Sequence, residues 1–421
     1  MTASPALPIG GRLRRLSRDA RLYLLGSALM GVGHGALWVH MNLWYRALGL
    51  REEAIGTLLA LTSFGAMVAA IPAAVWVDRV PAGRAFGWSA TGFALCLGAQ
   101  VVWPHPALLW TASLLCGATF TVHWVAAAPF FMRTAAPEDR PDLFGYAHAV
   151  ETVAMLGAAA GVGWLAKVGA ETLGSERAGL RLGIAVAAGV TLLAVPVLAS
   201  ISSQADPVVR ESPRRPAWRD HVKARDWGLV GRLLAPAAFI GLGAGLIVPF
   251  LNLYFRDRFH QTPEAIGTHF AVAQVLMTLG FLLGPAMARR VGTVAAIVTT
   301  ELASIPFFLL LAFAPSLGWA LVGFWCRAAL MNMNQPISSA FALQLVPVDQ
   351  QAVTNSLRHL AWNGAWFVST QIGGSWIERA GYTPPILAAV GFYLAGSVSF
   401  WWFFGRSARP PVLAATPATA A

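Results

Sequence analysis

Ionisable side chains are scarce in the long apolar stretches of this sequence, and the few that occur there are where chemistry would concentrate. Glu301 lies about nine residues into one stretch and Arg327 about ten into the next, counted from opposite faces. If the stretches cross a bilayer, both reach about mid-depth at ~1.5 Å per residue. The two can pair, and such a pair suits a structural latch as well as it suits a substrate or proton role. Glu151 sits at a similar depth in another stretch, with His148 one turn before it. Carboxylates and imidazoles inside apolar spans are the groups able to carry a proton, so Glu151 and His34 are candidate proton carriers, with Glu301 as a third.

Polar and aromatic residues at helical spacing extend the candidate set. His34, Trp38 and Asn42 recur at i, i+4 and i+8, one helix face. Arg327, Asn334 and Ser338 recur at i, i+7 and i+11, a second face. His123 and Trp124, Gln274, and the set Asn363, Trp366 and Thr370 are further substrate-binding candidates. For the Asn and His residues, a hydrogen bond to a neighbouring helix competes on equal terms with ligand contact. Many of the 17 tryptophans are expected to be interfacial or packing residues.

The elements that position these residues follow from composition. Of 421 residues, 57% are hydrophobic and 12% charged, and mean hydropathy is +0.59. A soluble domain carries roughly 25% charged residues. A globule of this length cannot hide so much apolar surface, so the solvent is expected to be lipid. Twelve apolar runs follow, the first at 22–45 and the last at 384–405. Most have the roughly 20 residues that span ~30 Å of hydrocarbon. The first run is expected to be a membrane span rather than a cleaved signal. The predicted fold is all-α, with twelve transmembrane helices in two parallel six-helix repeats. The predicted domains are a bundle over 1–202, a Pro- and Arg-rich linker over 203–231, a second bundle over 232–406 and a disordered tail over 407–421.

Charge sets the orientation. Most of the 30 Lys and Arg fall on one side of the spans: at the N-terminus, in the linker, and at Arg79, Arg84, Arg133, Arg140, Arg289, Arg290 and Arg406. The positive-inside rule then places both termini in the cytoplasm, in a cytoplasmic membrane. The net charge of +11 is therefore topological, and no nucleic-acid partner is expected. Cys96, Cys116 and Cys326 have no metal spacing and are read as small buried hydrophobes. No metal or cofactor is expected.

The chain nearly repeats itself. MNLWYRALGLREEAIGT at 41–57 answers LNLYFRDRFHQTPEAIGT at 251–268, aligning Asn42 with Asn252 and Arg46 with Arg256. Six spans per repeat give both repeats the same orientation, with a substrate site expected where two such bundles face each other near mid-membrane.

With these features the sequence resembles the major facilitator superfamily of secondary transporters over nearly its whole length. AVWVDRVPAGR at 74–84 is similar to the family's signature after the second span, with Asp78, Arg79 and Arg84 matching and Ala74 and Pro81 in place of glycines. GPAMARRVG at 284–292 is its counterpart in the second repeat, with Ala288 in place of the acid. The resemblance implies a gating role for Asp78, Arg79 and Arg84. It also implies that the first, seventh and tenth helices line a central cavity, which brings Asn42, Asn252 and Arg327 toward substrate. Drug-exporting members often carry a Gly-Pro motif on the fifth span. GAAAGVGW at 157–164 has the glycines without the proline, which argues against a drug–proton antiporter.

The sequence holds no HExxH, no GxSxG, no phosphate-cradling glycine loop and no filter loop, so an enzyme or a channel is disfavoured. The expected function is alternating-access transport of a small organic solute, with proton-coupled efflux of a sugar or amphipathic compound first. A proton-coupled importer of a sugar or organic acid, or a transport-dead membrane sensor, is the alternative. The expected partners are the solute, the bilayer and a coupling proton, for a monomeric protein.

Overall fold

The computed structural model describes residues 16–77, 79–135, 140–202, 226–346 and 348–405. Asp78, most of the expected linker and the expected tail lie outside the described residues.

The described chain forms twelve helical segments and no strand. The first repeat holds α1 (Arg18–Ala47), α2 (Glu52–Val77), α3 (Ala82–Val102), α4 (Pro106–Thr134), α5 (Arg140–Leu173) and α6 (Glu176–Leu192, continued by Ala194–Ala199). The second holds α7, α8 (Pro263–Val291), α9 (Thr293–Ala312), α10, α11 (Val348–Ala380) and α12 (Thr383–Phe404). Two in this second repeat are interrupted. In α7, Trp227–Ile247 and Leu251–Phe259 flank a 3-10 turn at Val248–Phe250, and in α10 Leu317–Met333 and Gln335–Gln344 flank Asn334. Ten segments are long and apolar enough to cross a membrane. The other two are α10, which is broken, and α11, whose sequence carries Asp349, Arg358, Glu378 and Arg379.

Helix ends follow local chemistry. Ser17 opens α1 by accepting the Ala20 N–H at 3.1 Å, and Gly49 turns the chain after α1 at φ 88°, a left-handed conformation that costs glycine little. Ser175 and Asp226 cap α6 and α7 in the same manner as Ser17, accepting from Ala178 N at 3.2 Å and Leu229 N at 3.0 Å.

Contacts divide the chain into two compact units. One comprises residues 16–202 together with Pro249–Ala271; the other comprises 226–248 and 272–405. In the first, α1 packs on α5 and α6, α2 on α4, and α3 on α4 and α6. Its core centres on Tyr23, Phe86, Phe93 and Phe130. The α2–α4 crossing is a backbone contact. A Cβ on Gly117 would sit 1.8 Å from the Thr62 carbonyl oxygen, and one on Gly65 would sit 1.9 Å from that of Leu114. Small residues let membrane helices approach this closely. In the second unit, α7 packs on α11 and α12, and α9 on α10 and α12.

Candidate functional site

In the first unit, α1 and α5 bring two of the expected proton carriers together. His34 Nδ1 lies 3.3 Å from Glu151 Oε1, with side-chain exposures of 21% and 8%. The His34 ring also packs on Phe120 of α4, centroid to centroid 4.2 Å. Phe120 in turn meets Trp124 edge-on at 6.5 Å, one helical turn further along. Trp38 lies one turn beyond His34 on α1. Trp38 and Trp124 are 46% and 44% exposed. A titratable pair thus sits beside an aromatic group whose outer members are open.

His123 has a different setting. It is buried in the aromatic core, with Nε2 3.3 Å from both Tyr23 Oη and Ser27 Oγ, its ring stacked on Tyr23 at 5.4 Å. Nδ1 has no partner.

Asn42 and Asn252 meet directly. Asn42 Nδ2 donates to Asn252 Oδ1 at 3.0 Å and to the Pro249 carbonyl, while Asn252 Nδ2 donates to the Val39 carbonyl at 2.7 Å. The 3-10 turn in α7 interrupts the helical ladder at Pro249, and Asn42 satisfies its carbonyl. Both amides are buried in helix packing. Toward the Ala47 end of α1, Arg46 bonds Glu52 at 2.6 Å and Asp257 at 2.8 Å. Arg256 pairs with Glu176 at 2.9 Å, and Lys167 with Glu264 at 3.1 Å.

In the second unit, Glu301 and Arg327 are both buried, as their depth implied, but they do not form an ion pair. Each reaches α12 instead. Arg327 donates to Tyr393 Oη at 2.5 Å and lies 4.6 Å over the Phe308 ring, with its Nε unpartnered. Glu301 accepts from Ser397 Oγ at 2.7 Å and from Asn334 Nδ2 at 2.8 Å. The break in α10 therefore falls at a residue committed to a buried carboxylate. It divides the expected face, leaving Ser338 only half-buried. Trp366 is buried and stacks on Trp362 at 4.9 Å. Asn363 donates to the His359 carbonyl one turn back, at 2.8 Å, and Gln274 is half-buried. Among the described residues, no cluster of three or more His, Cys, Asp or Glu could hold a metal ion.

The sequence profile of the Major Facilitator Superfamily matches residues 23–370 and, in a second alignment, 233–419. The chain belongs to the Major Facilitator Superfamily. No curated protein matches the sequence significantly. Solved structures with a similar fold include the nucleoside transporter NupG, with 13% identity and a TM-score of 0.73 over 92% of this chain and 99% of that one. A D-xylose–proton symporter matches at 14% and 0.73 over 91% and 97%. A bacterial homologue of the human lysosomal transporter Spinster matches at 15% and 0.73 over 94% and 97%. At these identities the likeness concerns the fold.

This chain is thus a multi-pass MFS membrane protein, of a family of transporters rather than enzymes. Of the MFS signature, Arg79 and Arg84 are exposed where α2 passes to α3. Several participants escaped the sequence reading: Tyr23 and Ser27 beside His123, Tyr393 and Ser397 beside the Arg327 and Glu301 groups, and Asp257 and Glu176 at the arginines. Tyr393 and Ser397 share a helix face at i and i+4, a signal the sequence does carry.

Proposed function

We propose that this MFS transporter moves a small sugar-like or amphipathic solute by proton-coupled alternating access, with the His34–Glu151 pair as the proton site. The 3.3 Å pairing of an imidazole and a carboxylate inside the spans carries this reading. With His34 neutral and Glu151 ionised the pair bears one negative charge, and one bound proton makes it neutral. Changing the charge of an intramembrane pair changes its cost of burial, which biases the two access states. Trp38 and Trp124 supply the solute-facing surface, since aromatic faces stack on the apolar faces of sugars and amphipathic molecules. The charge bias of the sequence supports a cytoplasmic membrane with both termini inside.

The test begins with thermal unfolding of the purified protein against monosaccharides, nucleosides, organic acids and amphipathic cations, each at pH 6 and pH 8. A binder raises Tm by mass action. The hit is then added to proteoliposomes loaded with a pH-sensitive dye, from either side of the membrane. Solute flux accompanied by proton flux is expected, with Glu151→Gln retaining solute binding but losing proton flux. Solute flux with no proton movement, or unchanged proton flux in Glu151→Gln, refutes the assignment.

A further inference from the structure

His40 is a fully buried ionisable side chain in the first unit, and no role assigned above uses it. It lies on α1 with no exposed surface, and neither ring nitrogen makes a hydrogen bond of good geometry. Buried polar side chains are nearly always satisfied, so an orphan imidazole calls for a physical explanation. The Pro263 carbonyl is the backbone acceptor next to the ring. The start of α8 closes over it. A Cβ on Gly267 would stand 3.4 Å from His40 Nε2 and 2.0 Å from the Ala159 carbonyl oxygen of α5. One turn along α5, a Cβ on Gly163 would stand 2.8 Å from the Pro263 carbonyl oxygen. The α5–α8 contact is therefore backbone on backbone, and the ring beneath it has no exposed surface.

Among the described residues, charged groups on the helices around the ring are paired with one another. On α5 and α8, Lys167 and Glu264 pair with each other at 3.1 Å. On α1, Arg46 is taken by Glu52 and Asp257, and His34 by Glu151. His269, on the same helix as Gly267, lies 3.4 Å from the Gln261 side chain. A proton on His40 would be a buried charge with no counter-ion, a state the protein escapes by letting the ring reach water.

We propose that His40 is a proton-binding site that controls the attachment of residues 249–271 to the first repeat: the neutral ring permits the closed contact and the protonated ring releases it. The site is separate from the His34–Glu151 pair and does not depend on it. For an imidazole with the water-exposed reference value of ~6.5, lowering the pH from 7.5 to 5.5 multiplies the released population about tenfold.

The experiment is amide hydrogen exchange of the full chain in nanodiscs at pH 5.5 and 7.5, corrected for the intrinsic chemical rate. Wild type is expected to lose protection over 263–271 about tenfold at the lower pH. His40→Gln keeps similar bulk without a titrating group and is expected to abolish that difference; His40→Leu serves if the Gln variant does not fold. Glu151→Gln is expected to keep the tenfold difference, which separates this site from the coupling pair. Equal protection of the wild type at both pH values overturns the proposal, as does a full pH response in His40→Gln or His40→Leu.

Discussion

The Asn42–Asn252 contact offers a sharp test of whether repeat-related polar residues hold helices or hold solute. Asn42→Ala removes two donated hydrogen bonds. One acceptor is cushioned, because Asn252 Oδ1 still accepts the Leu253 N–H at 2.9 Å. The other is stranded, because the Pro249 carbonyl belongs to the 3-10 turn and Asn42 is its side-chain donor. A stranded buried acceptor costs about 1–3 kcal/mol, and an interhelical bond in a membrane averages about 0.6 kcal/mol. The expected loss for Asn42→Ala is therefore about 2 kcal/mol. Asn252→Ala loses the 2.7 Å bond to the Val39 carbonyl and the same shared bond, about 1–2 kcal/mol.

The shared bond makes the pair non-additive. The double variant is expected to fall about 0.6 kcal/mol short of the sum of the singles, the value of the one bond both singles lose, which exceeds the roughly 0.3–0.5 kcal/mol scatter of independent sites. Equilibrium unfolding of the four proteins in mixed micelles measures the cycle. Solute binding to the same four proteins is the second readout. Packing predicts a stability cycle with coupling and little change in affinity beyond it. If both singles stay within about 0.5 kcal/mol of wild type while affinity collapses, the amides serve the solute and the packing argument fails.

Other substitutions probe the remaining contacts. Glu301→Ala strands Asn334 and Ser397 and is expected to cost about 3 kcal/mol, whereas Glu301→Gln keeps an acceptor and costs less than half of that, as read from unfolding of the two variants. In Gly117→Ala the new Cβ must retreat about 1.2 Å from the Thr62 oxygen merely to reach 3.0 Å, so a loss of about 3 kcal/mol or failure to fold is expected, and a wild-type melting curve would contradict the α2–α4 contact. Arg46→Ala leaves Glu52 and Asp257 without their shared cation; about 1–2 kcal/mol should be lost at low ionic strength and visibly less at ~1 M salt, since these side chains are partly exposed. Arg327→Met keeps the apolar contact with Phe308 and removes an unneutralised charge, so it should unfold no more easily than wild type, while Arg327→Ala should be clearly weaker.

The spans were legible because lipid makes the apolar run itself the signal; the helix ends were not. α1 runs from Arg18 to Ala47, past both ends of the apolar run expected at 22–45. Hydropathy reports the part of a helix that meets lipid, while backbone hydrogen bonding continues until a cap such as Gly49 stops it. The breaks in α7 and α10 were hidden for a related reason. Each break carries a proline, Pro249 and Pro336, but so do α2, α4, α8 and α9, which stay continuous, and what singles out the broken two is a partner distant in sequence, Asn42 at Pro249 and Glu301 at Asn334.

The candidate residues divide along the same physical line. Sequence supplied residue types and depths, so Glu301, Arg327, Glu151 and His34 could be singled out, but depth does not say which helix lies alongside. Equal depth suggested a Glu301–Arg327 pair; instead α12 stands next to both and takes each with a different side chain. His34 and Glu151, 117 positions apart, were named singly and are found together. Burial then sorts the polar set in a way spacing could not. Asn252, Asn334 and Glu301 spend hydrogen-bonding groups on neighbouring helices, as does the amide nitrogen of Asn42, whose buried Oδ1 has no partner, whereas the Trp38 and Trp124 rings are partly exposed beside a titratable pair. A group already saturated inside the protein has little left to offer a solute. Recognition is therefore better sought on the aromatic side of α1 and α4 than on the asparagines that the repeat makes conspicuous.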